Sequence, residues 1–303
     1  MQLLCRAGDY IACARARPRF MLPPQPMHRV ALSVVVAALL AGTASAQWFQ
    51  YPTPGIPRLP DGRPDLAAPT PRRADGKPDL TGIWAGWRWD RSLSDSLFFD
   101  LAQDLKDSDV QMTPWAAAIQ ANRESREHVD DPIGYCLPAG VPRIDLMMQF
   151  KILVTPQVTA FLHETASGLM FRQIFTDGRP LPAVTERTWL GYSIGRWDGD
   201  AFVIETAGFR DGGWLDSRKG RPHSDALHVT ERLLRTDFGH TELTITIDDP
   251  KAYRKPWTVR TVLNLMPDTE LLEGFCDNHD KTMEHRRITP SAPEAPSEPL
   301  APK

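Results

Sequence analysis

The densest group of chemically capable side chains in the 303-residue chain is His223, Asp225, His228, Glu231 and Arg232. A histidine near a carboxylate can move protons, and an arginine can hold an anionic group. On a strand, alternate side chains face opposite ways. His228, Thr230 and Arg232 then share one face, and Glu231 lies on the other with Leu227 and Val229. That parity favours His228 with Arg232, joined by His223 from the preceding loop, and a direct His228–Glu231 pair needs a bulge. His228, His223 and Glu231 are the catalytic candidates, and Arg232 and Asp225 are ligand-binding candidates. The bland alternative for all five is a hydrogen-bonded structural network in a barrel strand. Trp214, in the loop Asp211-Gly212-Gly213-Trp214, is a large aromatic that would line a pocket mouth near His223.

Other chemistries fare worse. His223 and His228 with a carboxylate match no strong zinc spacing, so no metal site is expected. His163-Glu164 lacks the second histidine of a His-Glu-x-x-His helix and falls in a strand-like run. Gly191-Tyr192-Ser193-Ile194-Gly195 reads as Gly-x-Ser-x-Gly, but a nucleophile elbow needs a strand-to-helix turn and this segment lies in a hairpin. Asp248-Asp249 before Pro250 is explained by a turn. No glycine-rich dinucleotide motif or P-loop lysine occurs, and no cofactor is expected.

The elements that must position these residues have a period of two. Gly191–Trp197, then Asp198-Gly199, then Asp200–Thr206 is the strongest hairpin signal, since Asp-Gly suits a two-residue type I′ turn. Further strands are expected at 82–89, 151–155, 158–164, 169–176, 226–235, 241–247, 257–265 and 270–276. One clear helix is expected, with Thr113 as N-cap, Pro114 at the first position and Trp115–Glu127 following. A weaker helix is expected at 97–106. The fold class is therefore mainly β: an antiparallel barrel of about 8–10 strands with one or two short helices.

The 28 prolines mark the boundaries. Residues 1–46 hold four, 47–80 hold eight and 290–303 hold five, which leaves an ordinary share for 81–289. Met27-His28-Arg29, the apolar run Val30–Leu40 and Ala44-Ser45-Ala46 make a secretory signal peptide cleaved after Ala46, with Met27 as the alternative start. Periplasmic or secreted localisation is expected, with no transmembrane segment in the mature chain. Residues 47–80 read as an extended arm in which Asp61-Gly62-Arg63-Pro64-Asp65-Leu66 recurs as Asp75-Gly76-Lys77-Pro78-Asp79-Leu80. Residues 81–289 are the barrel domain. Residues 290–303, with proline at every third position, are a solvated tail. Loss of the leader removes five arginines and one aspartate, so the net charge moves from −3 to −7. That disfavours nucleic acid as partner. It also leaves two cysteines, Cys136 and Cys276, expected to form a disulfide in an oxidising compartment.

Several segments together resemble an abundant family of secreted bacterial proteins with no established activity. They are Asp75–Trp84, Cys136–Arg143, Gly191–Asp200, Pro222–Arg232 and Thr246–Pro250. The resemblance implies export and a mostly β fold, and it supplies no reaction. Gly82-Ile83-Trp84 also resembles the Gly-x-Trp of lipocalins, in which the tryptophan closes a barrel end against a late-strand arginine. Arg260 is the candidate for that arginine, and the implied fold is a lipocalin- or calycin-like barrel. Arg143, which ends the Cys136–Arg143 stretch, joins the ligand-binding candidates. The leading functional reading is a barrel that binds a small, partly apolar ligand. The alternatives are an acid–base hydrolase or isomerase using His223 and His228, and a structural or partner-binding domain.

Overall fold

The computed structural model describes residues 52–86, 99–165, 170–183 and 186–272, all within the unit Phe49–Lys303. Nine strands close into a barrel in chain order. They are β1 (Gly82–Ala85), β2 (Gln149–Val154), β3 (Val158–His163), β4 (Met170–Phe175), β5 (Tyr192–Asp198), β6 (Ala201–Ala207), β7 (His228–Arg235), β8 (His240–Asp248) and β9 (Trp257–Leu265). An odd-numbered closed ring cannot be antiparallel throughout, because each antiparallel step reverses direction and nine reversals do not return to the start. At least one pair must run parallel, and β4–β5 is that pair, with Ile174 opposite Ser193. Residues 176–191 carry the chain back between the two ends.

Strand directions gather the long connections at one end. Segments 86–148, 208–227 and 249–256 all leave and re-enter there, and this is the loop end of the barrel. The opposite end carries tight turns, among them the expected Asp198-Gly199 hairpin between β5 and β6. Gly199 has φ +59°, the left-handed conformation that such a turn requires. The helix α1 (Pro114–Ser125) begins as expected, with the Thr113 hydroxyl accepting the Ala116 N–H at 3.3 Å. A short 3-10 helix (Pro132–Tyr135) and a single turn α2 (Ile144–Met147) follow.

Two expected elements differ. Residues 99–106 form turns rather than a helix. Asp100 accepts the Ala102 N–H and pairs with Arg221, so its side chain competes with a helical backbone. Residues 270–272 are irregular, and the remainder of that expected strand lies outside the described residues.

The arm repeat folds into two copies of one turn. Arg58 bridges to Pro64, and 14 residues later Arg72 bridges to Pro78. In each copy the arginine donates to the turn glycine's carbonyl, Gly62 or Gly76. Each arginine then makes a two-pronged ion pair with the barrel: Arg58 with Asp268, and Arg72 with Asp200. Leu80 drops into the core.

Trp84 does sit against an arginine, but not the expected one. Arg260 is exposed on the outer face of β9. Arg235, at the inward end of β7, lies 4.9 Å from the Trp84 ring centre and donates to the carbonyls of Asp79, Asp237 and Phe238. Strand parity is the reason. Arg235 follows the buried side chains Val229, Glu231 and Leu233 on one face, whereas Arg260 alternates with the buried Val259.

Candidate functional site

Alternation along each strand sends one set of side chains into the barrel. On β3 these are Thr159, Phe161 and His163, and on β4 Arg172 and Ile174. On β5 Ser193 faces inward, opposite Thr206 of β6, and on β7 Glu231 does. From the loop end, α2 adds Asp145. Of these, Asp145, His163, Arg172, Ser193, Thr206 and Glu231, six polar side chains from six elements, meet inside the barrel, none more than 2% exposed.

Arg172 is the hub. Its Nη1 donates to Asp145 Oδ2 at 2.6 Å, its Nη2 to Thr206 Oγ1 at 2.8 Å and to Glu231, and its Nε to Ser193 Oγ at 3.1 Å. The other Asp145 oxygen accepts from His163 Nε2 at 2.5 Å. The His163 ring stacks on Phe150 with centres 5.4 Å apart, and Arg172 lies 5.8 Å from the Phe161 ring centre. The second imidazole nitrogen, His163 Nδ1, is buried and has no hydrogen-bond partner.

The electrostatics separate the two carboxyls. Burial alone would raise Asp145, but Arg172, helped by His163, holds it below the usual carboxylate range. Burial pushes Glu231 up to about 7, Arg172 opposes this, and the Asp145 charge reinforces it. Of the two carboxyls, Glu231 is therefore the one that more readily keeps a proton.

The residues expected to form one site are dispersed. The β7–β8 ladder runs unbroken from His228 opposite Asp248 to Arg235 opposite Thr241, so no bulge reconciles the faces. His228 and Arg232 point outward and Glu231 inward, with the barrel wall between them. His228 lies 3.9 Å from Glu205. Arg232 lines an open outer groove of about 390 Å³ with Arg196, Trp197, Asp198 and Val203.

His223 is buried in the loop cap, its Nδ1 donating to the Ser224 carbonyl at 3.0 Å and its ring edge-on to Phe209. Burial lowers its pKa from the ordinary 6.5. Trp214, expected at a pocket mouth, is 3% exposed and packs under Arg123 at 4.5 Å and beside His128. Gly213 next to it lies against the His223 ring, and that close approach pulls the loop inward. Asp225 is tied on the surface to Arg187 and, at 2.9 Å, to Lys251.

Arg143 is buried and makes a two-pronged pair with Asp131 at 2.6 and 2.9 Å, which anchors the start of α2 and so positions Asp145. Cys136 caps the 3-10 helix at φ +58°, and Cys276 lies outside the described residues.

Of the residues proposed from sequence, only Glu231 belongs to the interior cluster. Its partners Asp145, His163, Arg172, Ser193 and Thr206 were not selected. No group of three or more His, Cys, Asp or Glu side chains is placed to hold a metal ion among the described residues, and no helix there is long and apolar enough to cross a membrane. No family model, curated protein or solved structure matches the chain.

Proposed function

We propose that the protein is exported and binds a small, partly apolar ligand inside the barrel at its loop end. Asp145, His163, Arg172 and Glu231 would receive the ligand's polar group, and Phe150 and Phe161 would flank its apolar part. The observation that carries this reading is the unpartnered His163 Nδ1 within a wholly buried cluster of charged side chains. Buried ion pairs are weak devices for stability, since apolar side chains of equal volume often serve as well or better. A buried polar atom without a partner calls for an explanation of its own. A ligand supplying a hydrogen bond to that nitrogen accounts for both.

Entry would require α2 to lift from the barrel mouth. It is one helical turn, held by the Asp145 contacts and the Arg143–Asp131 pair. Export follows from the leader and from the resemblance to secreted bacterial proteins. The same compartment would allow a Cys136–Cys276 disulfide.

The test is a thermal-shift screen of small aromatic and aliphatic compounds bearing one polar group. It compares wild type with a triple replacement, Asp145→Asn, Arg172→Met and Glu231→Gln, checked for folding by circular dichroism. Compounds that raise the wild-type midpoint and lose their effect in the folded triple variant support the reading. Equal shifts in both proteins, or none in wild type, refute it.

A second reading has one observation in its favour. Two neighbouring carboxyls with acidities pushed apart, one ionised and one protonated near neutrality, are the arrangement that acid–base catalysis uses. An acid–base enzyme on this barrel would use Glu231 and Asp145 with His163, rather than His223 and His228. A bell-shaped pH–rate profile abolished by Glu231→Gln is its signature.

A further inference from the structure

We infer that the two copies of the arm repeat play different parts: the second anchors the arm, and the first is a releasable strap over the barrel end that carries the tight turns. This device stands apart from the interior cluster and does not depend on the ligand-binding reading.

The arm crosses that end at three points. Arg72 grips Asp200 on the β5–β6 turn, residues 66–68 lie on the β7–β8 turn, and Arg58 grips Asp268 beyond β9. Internally the copies are alike. The N–H groups of Leu59, Gly62 and Asp65 donate to the carbonyls of Arg63, Leu59 and Pro57. Fourteen residues later, those of Arg73, Gly76 and Asp79 donate to Lys77, Arg73 and Pro71 in the same way. A difference in their stability must therefore come from how each copy is docked.

The second copy is rooted in the core. Leu80 is 1% exposed, and its carbonyl accepts the Trp84 indole N–H at 2.9 Å. The Asp79 carbonyl accepts from the buried Arg235, and Lys77 Nζ donates to the Gly199 carbonyl at 2.9 Å. Lifting this copy would pull Leu80 out of the barrel and strip Arg235 of a partner.

The first copy has no such root. Leu66, the counterpart of Leu80, is only partly buried and rests on Gly239. A Cβ added at Gly239 would lie 2.5 Å from Leu66 Cβ, and its three nearest neighbours are all atoms of Leu66. The space left by the missing side chain thus serves the arm. The Gly239 and Phe238 N–H groups donate to the Leu66 and Ala68 carbonyls, each at 2.8 Å. The outer ties are the Arg58–Asp268 pair and two hydrogen bonds between Thr53 and Asp268, at 2.7 and 2.8 Å. Arg58 and Asp268 are both partly exposed, and exposed ion pairs are weak and screened by salt.

The joint is Thr70, between Pro69 and Pro71, whose hydroxyl donates to the Arg235 carbonyl at 3.2 Å. Lifting the strap from there frees the Phe238 and Gly239 N–H groups, the space at Gly239 and the Asp268 carboxylate together. The first copy is a reversible cover over the β7–β8 turn, and ionic strength opens it.

The experiment is native-state hydrogen exchange, followed by NMR on the full chain at low and high salt. Wild type is compared with Asp268→Asn, which neutralises the latch, and with Gly239→Ala, which crowds Leu66 and leaves the ion pair intact. The amides of Leu59, Gly62 and Asp65 report the first copy, and those of Arg73, Gly76 and Asp79 the second.

First-copy amides should exchange at least about tenfold faster than their second-copy counterparts, and salt should speed the first copy alone. Each substitution should speed the first copy by roughly a further tenfold and leave the second unchanged, with the salt effect reduced in Asp268→Asn. Equal exchange in the two copies overturns the inference, as do substitutions that speed both alike. First-copy exchange in wild type that ignores salt also overturns it, because the latch would then not be ionic.

Discussion

Replacing Glu231 by glutamine should change how stability depends on pH. Glu231 lies inside the barrel with Asp145 and Arg172, and its carboxyl is pushed from 4.5 up to about 7, chiefly by burial. Below pH 4.5 the folded and unfolded chains both hold this proton. Between 4.5 and about 7 the unfolded chain releases it and the folded chain keeps it, so rising pH favours unfolding. Above about 7 the loss is complete. At about 1.4 kcal/mol per pH unit, that window corresponds to about 3 kcal/mol. Glutamine is the neutral mimic, since its carbonyl can accept from Arg172 at any pH. Urea unfolding of both proteins at pH 4.5, 6, 7 and 8 isolates the effect. The stability of wild type minus that of Glu231→Gln should fall by about 3 kcal/mol between pH 4.5 and pH 8. Parallel curves would refute the reasoning. A difference that grows in favour of wild type as pH rises would mean that Glu231 is an ordinary ionised partner of Arg172.

Arg172→Met should cost about 3–5 kcal/mol at neutral pH, because it strands two buried carboxyls, while the triple replacement with Asp145→Asn and Glu231→Gln should recover most of that loss. Urea midpoints of the two variants decide it. Gly213→Ala places a methyl 1.8 Å from His223 Nε2, so a loss of about 1–3 kcal/mol is expected from overpacking in the loop cap, read by thermal unfolding. Arg235→Ala uncovers Trp84 and strands the carbonyls of Asp79 and Phe238, with about 3 kcal/mol expected, whereas Arg260→Ala should be close to neutral. Intact mass of the protein produced in an oxidising compartment, before and after reduction and alkylation, should show one disulfide between Cys136 and Cys276. Two alkylatable thiols without reduction would exclude it.

The barrel and its hairpins were readable because strands advertise themselves through period-two alternation and turn residues, and Asp198-Gly199 carried both signals. Closure with a parallel β4–β5 pair was not readable. It depends on the long return through 176–191, and no local pattern records which strands it brings together. The arginine on Trp84 shows the same limit, since β7 and β9 each offer an arginine and only the facing of each strand tells them apart.

The candidate site was missed for a reason that lies within the parity rule itself. Alternation correctly separated Glu231 from His228 and Arg232, yet the larger polar group drew the assignment. The apolar company decides which face is inside. Glu231 alternates with Val229 and Leu233, and both are buried. A carboxylate on the apolar face of a barrel strand must enter the interior, where its burial demands a partner. That inference was open from sequence, and it leads to a search for a buried cation. It stalls there, because Arg172 shares its face with Met170 and Ile174 while Phe171 and Phe175 occupy the other. The pattern of β4 therefore has two apolar faces, although Phe171 proves 60% exposed. His163 is equally ambiguous beside Leu162, and Asp145 lies in a non-repetitive turn where no period applies. One member of the cluster was thus legible and the rest were not. A charged residue among buried neighbours is the sequence signal that leads into this barrel, and histidine density leads away from it.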